Sequence, residues 1–197
     1  ATNGTELSTE WSKTVINECK KISKEISKED IEIRRDFRSL NFVTIDGSNA
    51  KDFDDAVYAE ELSDGFRLYV AIADVSAYVT KDSQLDKEAF SRATSVYFEK
   101  KVIPMLPELI SNQLCSLRPN EDKLVLTCEI YLDNRGEIKD FEFFNSVICS
   151  KNRLTYDEVE KFYQKGQTAL LDDAVNNLRV LKTVSYTHLR AHETVLH

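Results

Sequence analysis

Four aspartates crowd one short stretch of this 197-residue chain. Asp46, Asp52, Asp54 and Asp55 lie within Thr44-Ile45-Asp46-Gly47-Ser48-Asn49-Ala50-Lys51-Asp52-Phe53-Asp54-Asp55-Ala56, and Lys51 is the only cation among them. Ionised carboxylates brought together in a partly buried place repel one another. Either their pKa values rise or a cation holds them. Hard divalent ions such as Mg²⁺ take oxygen ligands, and a few carboxylates plus substrate phosphates suit Mg²⁺. Two such ions about 3.5–4 Å apart can clamp a scissile phosphate and orient a water. The spacing alone leaves a second reading open, a solvated acidic loop with turn-forming aspartates. An EF-hand is excluded. Counted from Asp52, positions 5 and 6 are Ala56 and Val57, where that loop needs an Asx ligand and a Gly.

For these carboxylates to meet, the chain must place them. In an extended segment Asp52 and Asp54 point to one side and Asp55 to the other, so a bend or bulge is required. The Gly47-Ser48-Asn49 turn can return Asp46 beside them. Strands are expected over 41–45, 55–60 and 66–73, the last two joined at Ser63-Asp64-Gly65. Leu68-Tyr69-Val70-Ala71-Ile72-Ala73 is apolar on both faces, as in a buried central strand. Residues 83–92 and 108–117 read as helical, and 95–98 as extended. Residues 124–132 and 137–150 form a hairpin around Asp133-Asn134-Arg135-Gly136. Thr155, three residues before Glu158, opens a capped helix, and another covers about 168–183. Upstream, Trp11, Val15, Ile16, Cys19, Ile22 and Ile26 recur at helical spacing, with Ser8 or Ser12 as cap. The fold class is α+β (mixed α/β), an irregular, largely antiparallel sheet with flanking helices.

The acidic segment, taken through Val57, resembles the signature of the ribonuclease II/ribonuclease R family, 3′→5′ exoribonucleases with an RNB catalytic domain. Four further blocks carry the likeness. They are Val70-Ala71-Ile72-Ala73-Asp74-Val75-Ser76-Ala77-Tyr78-Val79, then Thr94-Ser95-Val96-Tyr97-Phe98 with Val102-Ile103-Pro104-Met105-Leu106-Pro107, then Ser111-Asn112-Gln113-Leu114-Cys115-Ser116-Leu117, and Arg153-Leu154-Thr155-Tyr156. Order and spacing hold over some 120 residues, closer to the ribonuclease R branch. The resemblance implies that Asp46, Asp52, Asp54 and Asp55 build a site for two Mg²⁺ ions. It makes Asp54 the most important for chemistry, with Asp55 beside it. It implies that Tyr97 packs on a base near the 3′ end of single-stranded RNA, a sequence-tolerant contact because every base has a π-face. Without the family context, Tyr97 reads as a core aromatic in a strand. Ala77 and Ala93 depart from the pattern, away from the carboxylates. The chain corresponds to a truncated, N-terminal part of the RNB domain. The family's catalytic arginine, its cold-shock and S1 RNA-binding modules and half the domain fall outside it, so the piece alone is expected to have little nuclease activity.

The expected organisation is a helical lead-in at 1–39, the RNB portion at 40–183 and a non-native tail at 184–197, which resembles a translated sequencing adapter. His188, His192 and His197 tempt a zinc reading, but His192-Glu193 with His197 is one residue too long for HExxH. Lys+Arg number 26 against Asp+Glu 34, a net charge of −8. That argues against a surface that grips nucleic acid throughout. The phosphate-neutralising surfaces are expected in the absent modules. Four cysteines without a CxxC suggest reduced thiols in a cytoplasmic protein. No run of about 18 apolar residues offers a membrane span, and residues 1–10 lack the pattern of a signal peptide. The competing functions are a non-catalytic RNB-like module that binds RNA or protein, and a metal-binding or regulatory domain without RNA. Oligomeric state and RNA preference are not legible in the sequence.

Overall fold

The computed structural model describes residues 10–98, 101–166 and 172–193. Helices α1 (Lys13–Cys19) and α2 (Lys28–Glu32) lead into strands β1 (Arg35–Asp36), β2 (Val43–Asp46), β3 (Asp55–Leu62) and β4 (Gly65–Ala73). Helix α3 (Gln84–Arg92) precedes a short hairpin of β5 (Val96–Phe98) and β6 (Lys101–Ile103). Strands β7 (Asp122–Asp133), β8 (Ile138–Cys149) and β9 (Asn152–Thr155) follow, then helices α4 (Tyr156–Lys165) and α5 (Asp172–Glu193). Seven strands form one sheet in the order β1-β8-β7-β4-β3-β2-β9. The β1–β8 and β2–β9 pairs are parallel and the others antiparallel. The class is the expected one. β4 is the middle strand, as its two-sided apolar run requires.

One face of the sheet carries the larger core. Phe42, Tyr69, Ala71, Val125 and Ile148 pack there with Val15 of α1 and Leu85 of α3. On the opposite face a second cluster joins Val43 and Leu154 to Val159 and Phe162 of α4 and to Ala174 and Leu178 of α5. Asn177 ties α5 to the strands. Its carbonyl accepts from Ala59 N at 3.0 Å, and its amide donates to Asn41 O at 3.0 Å and Val57 O at 3.3 Å. These bonds satisfy backbone groups at a buried strand margin. Beyond α5, Ile72, Leu126, Phe141 and Phe143 remain exposed.

Helix ends follow local chemistry. The Ser12 hydroxyl caps α1 by accepting from Val15 N, and Thr155 with Glu158 forms the expected capping box on α4. The lead-in is the main departure, because the helix expected through Ile26 ends at Cys19 and a second short helix starts only at Lys28. The Ser23 hydroxyl bonds both the Glu25 carbonyl and the Glu25 amide, and Ser27 starts a new helix by accepting from Asp30 N. Serine side chains compete with the backbone for its own partners, and apolar periodicity cannot register that. The expected limit at 183 has no break in the backbone. α5 runs through Glu193, and Val184 packs with Phe66 and Leu132. His197 and the side chains of His188 and His192 lie outside the described residues.

The β3–β4 turn sets up one sharp requirement. A Cβ on Gly65 would stand 1.9 Å from the Leu132 carbonyl oxygen and 2.9 Å from Asp133 Cα, both backbone atoms of the neighbouring strand. Gly65→Ala is therefore expected to cost about 2–3 kcal/mol, read by urea denaturation. A loss below about 1 kcal/mol would mean the turn shifts freely.

Candidate active site

The acidic segment joins the end of β2 to the start of β3. Asp46 is the last residue of one and Asp55 the first of the other. β2 is held on both sides, antiparallel to β3 through Val43↔Val57 and parallel to β9 from Val43↔Asn152 to Asp46↔Thr155. Asp55 faces Ile72 across the β3–β4 ladder. The limbs are thus fixed by the sheet, and only residues 47–54 are irregular.

That irregular stretch is anchored residue by residue. The Ser116 hydroxyl is fully buried. It accepts from Phe53 N at 3.1 Å and donates to the Lys51 carbonyl at 2.9 Å. Leu117 N donates to the Phe53 carbonyl at 2.8 Å, and Ala73 N to the Asp54 carbonyl at 2.9 Å. Phe53 is buried, so Asp52 and Asp54 flank an inward-pointing anchor. The earlier limb is held by Arg153, whose Nη2 donates to the carbonyls of Gly47 at 3.1 Å and Ser48 at 2.7 Å. Ser116 follows a π-helical turn, Ile110–Leu114, where a helix of ordinary pitch was expected. Such turns are frequent at functional sites.

The electrostatics match a shared field. Burial raises the Asp54 carboxyl above its ordinary range, and Asp52, Asp55 and Asp46 push it the same way. Asp46 is raised by burial and by Asp55, with Arg153 opposing. Among the described residues none of the four forms an ion pair, and Lys51 is exposed. The donors are hard oxygens with no ion-pair partner among the described residues, which fits a hard divalent cation. Among the described residues, however, no three acidic, histidine or cysteine side chains stand close enough together to hold a metal ion. The four carboxylates share a field without closing into a cage.

Tyr97 lies beside them on β5. It is exposed, and its hydroxyl donates to Asp52 Oδ2 at 2.8 Å. That bond, ahead of burial and the charges of Asp52 and Asp54, raises the phenol's pKa. The core placement considered for an isolated strand tyrosine is not what the fold gives. A cavity of about 230 Å³ is lined by Asp52, Asp54, Ile72, Tyr97, Met105 and Cys115. A second of about 630 Å³ adjoins it, lined by Asn49, Lys51, Tyr97, Val102 and Glu108 among others. Burial pushes the Cys115 thiol up to about 12, so it stays protonated and unreactive at neutral pH. Sequence reasoning named the four aspartates and Tyr97 but missed the anchoring roles of Ser116 and Arg153. Both fell in quoted blocks, yet their contacts span more than 60 residues of chain, and strand β9 was not foreseen.

The RNB domain family model matches residues 34–193. The chain is 46% identical over 186 residues to ribonuclease R of Acidithiobacillus ferrooxidans, covering 93% of this chain and 42% of that protein. Its fold is similar to Mycoplasma genitalium RNase R solved with ribose-methylated single-stranded RNA, with a TM-score of 0.87 and 40% identity, covering 93% of this chain and 29% of that one. The same protein solved with double-stranded RNA gives a TM-score of 0.87, and 33% of it is covered. The chain therefore spans about three to four tenths of the length of these relatives.

Proposed function

The chain belongs to the RNB-domain family, and on that premise we propose that its parent protein is a 3′→5′ exoribonuclease of ribonuclease R type. It hydrolyses single-stranded RNA from the 3′ end and releases 5′-mononucleotides. The carrying observation is the group Asp46, Asp52, Asp54 and Asp55, unpaired by any described cation, in one field on an anchored loop. A module that only binds RNA or protein gains nothing from that repulsion, which disfavours the non-catalytic alternative.

The four aspartates would hold Mg²⁺, two ions in this reading, with Asp54 and Asp55 nearest the chemistry. Bound there, Mg²⁺ lowers the pKa of an attacking water and offsets charge on the phosphate oxygens. The chain's own residues do the positioning. Ser116 and Leu117 fix the backbone between Asp52 and Asp54, so neither carboxylate needs ordering when substrate arrives. Tyr97 presents a ring at the cavity mouth, where a 3′-terminal base can stack. Its hydroxyl on Asp52 sets the distance between base and carboxylates. The cold-shock and S1 modules of the parent would supply the basic surfaces that an acidic chain does not, with single-stranded RNA as partner. The free thiols suit a reducing, cytoplasmic setting, and no described helix is long and apolar enough to cross a membrane.

The test uses the full-length parent and 5′-labelled single-stranded RNA. Progressive shortening from the 3′ end with Mg²⁺, stopped by EDTA, is the expected result. Binding without shortening under any divalent cation would favour the non-catalytic module.

A further inference from the structure

Arg153 stands at the junction of β9 and the acidic loop, paired with Thr44 across the parallel β2–β9 ladder. One guanidinium touches both limbs. On one side it donates to the Gly47 and Ser48 carbonyls, just past Asp46. On the other its central carbon lies 5.2 Å from the centre of the Phe53 ring, between Asp52 and Asp54. Arginine suits this double task. Its planar fork reaches adjacent carbonyls while its face packs on an aromatic ring. It makes no ion pair with the four aspartates among the described residues, so it eases the repulsion at Asp46 only through space and does not take the place of a cation. Among the described residues the Arg153 Nε is buried without a partner, a desolvation penalty that pays for itself only if the side chain's position matters.

We infer that Arg153 is a positioning residue that ties the two limbs of the acidic loop together and sets the placement of Asp46 against Asp52 and Asp54 for a divalent cation. The inference rests on the metal-dependent reading above. A helical lock would have been local. Here the tie crosses more than 100 residues, so it forms only when β9 docks beside β2, and the carboxylates are gathered only in the folded sheet.

The test is Mn²⁺ titration of this chain, following free Mn²⁺ by electron paramagnetic resonance, alongside amide hydrogen exchange over residues 47–53. Arg153→Met is expected to weaken Mn²⁺ binding by about tenfold or more, as loss of an outer-shell partner does, and to speed exchange in the loop. Arg153→Lys keeps a donor to the carbonyls but not the flat face, and should restore part of both. Lys139→Ala removes a surface cation paired with Asp133 and Glu137 at the β7–β8 turn, outside the site, and should leave Mn²⁺ affinity at the wild-type level. Wild-type affinity in Arg153→Met, whatever the exchange rate, would overturn the role of Arg153. No uptake of Mn²⁺ by the wild-type chain would instead overturn the divalent-cation reading beneath it.

Discussion

Asp54→Asn in the full-length parent is expected to lower single-stranded RNA turnover by on the order of 10²–10³-fold, the range seen when one preorganised electrostatic contact to a transition state is lost. RNA affinity should stay within about twofold. The substitution keeps the side chain's shape and removes one negative charge. The loop should survive it, because Asp54 is fixed through its backbone carbonyl to Ala73 N and Phe53 beside it through Ser116 and Leu117. What is lost is the carboxylate that feels all three of the others, Asp52, Asp55 and Asp46. Asp46 is a useful contrast, since Arg153 already offsets part of its repulsion. Asp46→Asn should therefore do less damage than Asp54→Asn. Single-turnover kinetics with saturating Mg²⁺ and filter binding of the same RNA separate the two effects. A variant that cleaves at the normal rate would remove Asp54 from the chemistry, whatever its field.

The acidic loop was legible because its information is local. Four aspartates, a Gly-Ser-Asn turn and the alternation around Phe53 all sit within a dozen residues, and the fold keeps them there. The α4 cap was legible for the same reason, with Thr155 and Glu158 three residues apart on one turn. What escaped is non-local or short. β9 is four residues long and pairs with a strand more than 100 positions earlier, so no periodicity announces it. Ser116 looks like any small polar residue until its buried hydroxyl meets Lys51 and Phe53. The lead-in failed in the other direction. Its apolar spacing was truly helical, but Ser23 and Ser27 offered the backbone competing partners, and only Val15 and Cys19 of α1 are buried enough to reward helix formation. Pattern reading weighs side-chain faces. It does not weigh a hydroxyl that captures the next amide but one.

The lead-in is nonetheless bonded into the domain that carries the site, and breaking that bond should have the largest effect on stability. Arg34 Nη2 meets Asp74 Oδ2 at 2.6 Å, with each side chain only 10% exposed. Ser76 donates to the other Asp74 oxygen at 2.6 Å, and Arg34 Nη1 reaches the Val125 carbonyl at 3.5 Å. Asp74 directly follows Ala73, whose amide holds the Asp54 carbonyl, so the pair braces the frame of the acidic loop. Removing one member leaves the other charge buried and uncompensated. Arg34→Met or Asp74→Asn is expected to cost about 3–5 kcal/mol, and the double variant should lose clearly less than the sum. The pH dependence has a defined sign. Burial pushes the Asp74 carboxyl up, but the Ser76 hydroxyl and Arg34 outweigh it and hold the group below its ordinary value of 3.8. A carboxyl whose folded pKa is depressed contributes stability that is present above its unfolded pKa and lost as pH falls through its folded one. The wild-type chain should therefore shed this contribution on acidification below about pH 4, while Asp74→Asn, already without it, loses less over the same interval. Urea melts at neutral and acidic pH measure both quantities. An Asp74→Asn midpoint close to wild type at neutral pH would show that the pair's desolvation cancels its attraction, and that the lead-in is held by its other contacts, the packing of Val15, Cys19 and Phe37 and the β1–β8 pairing.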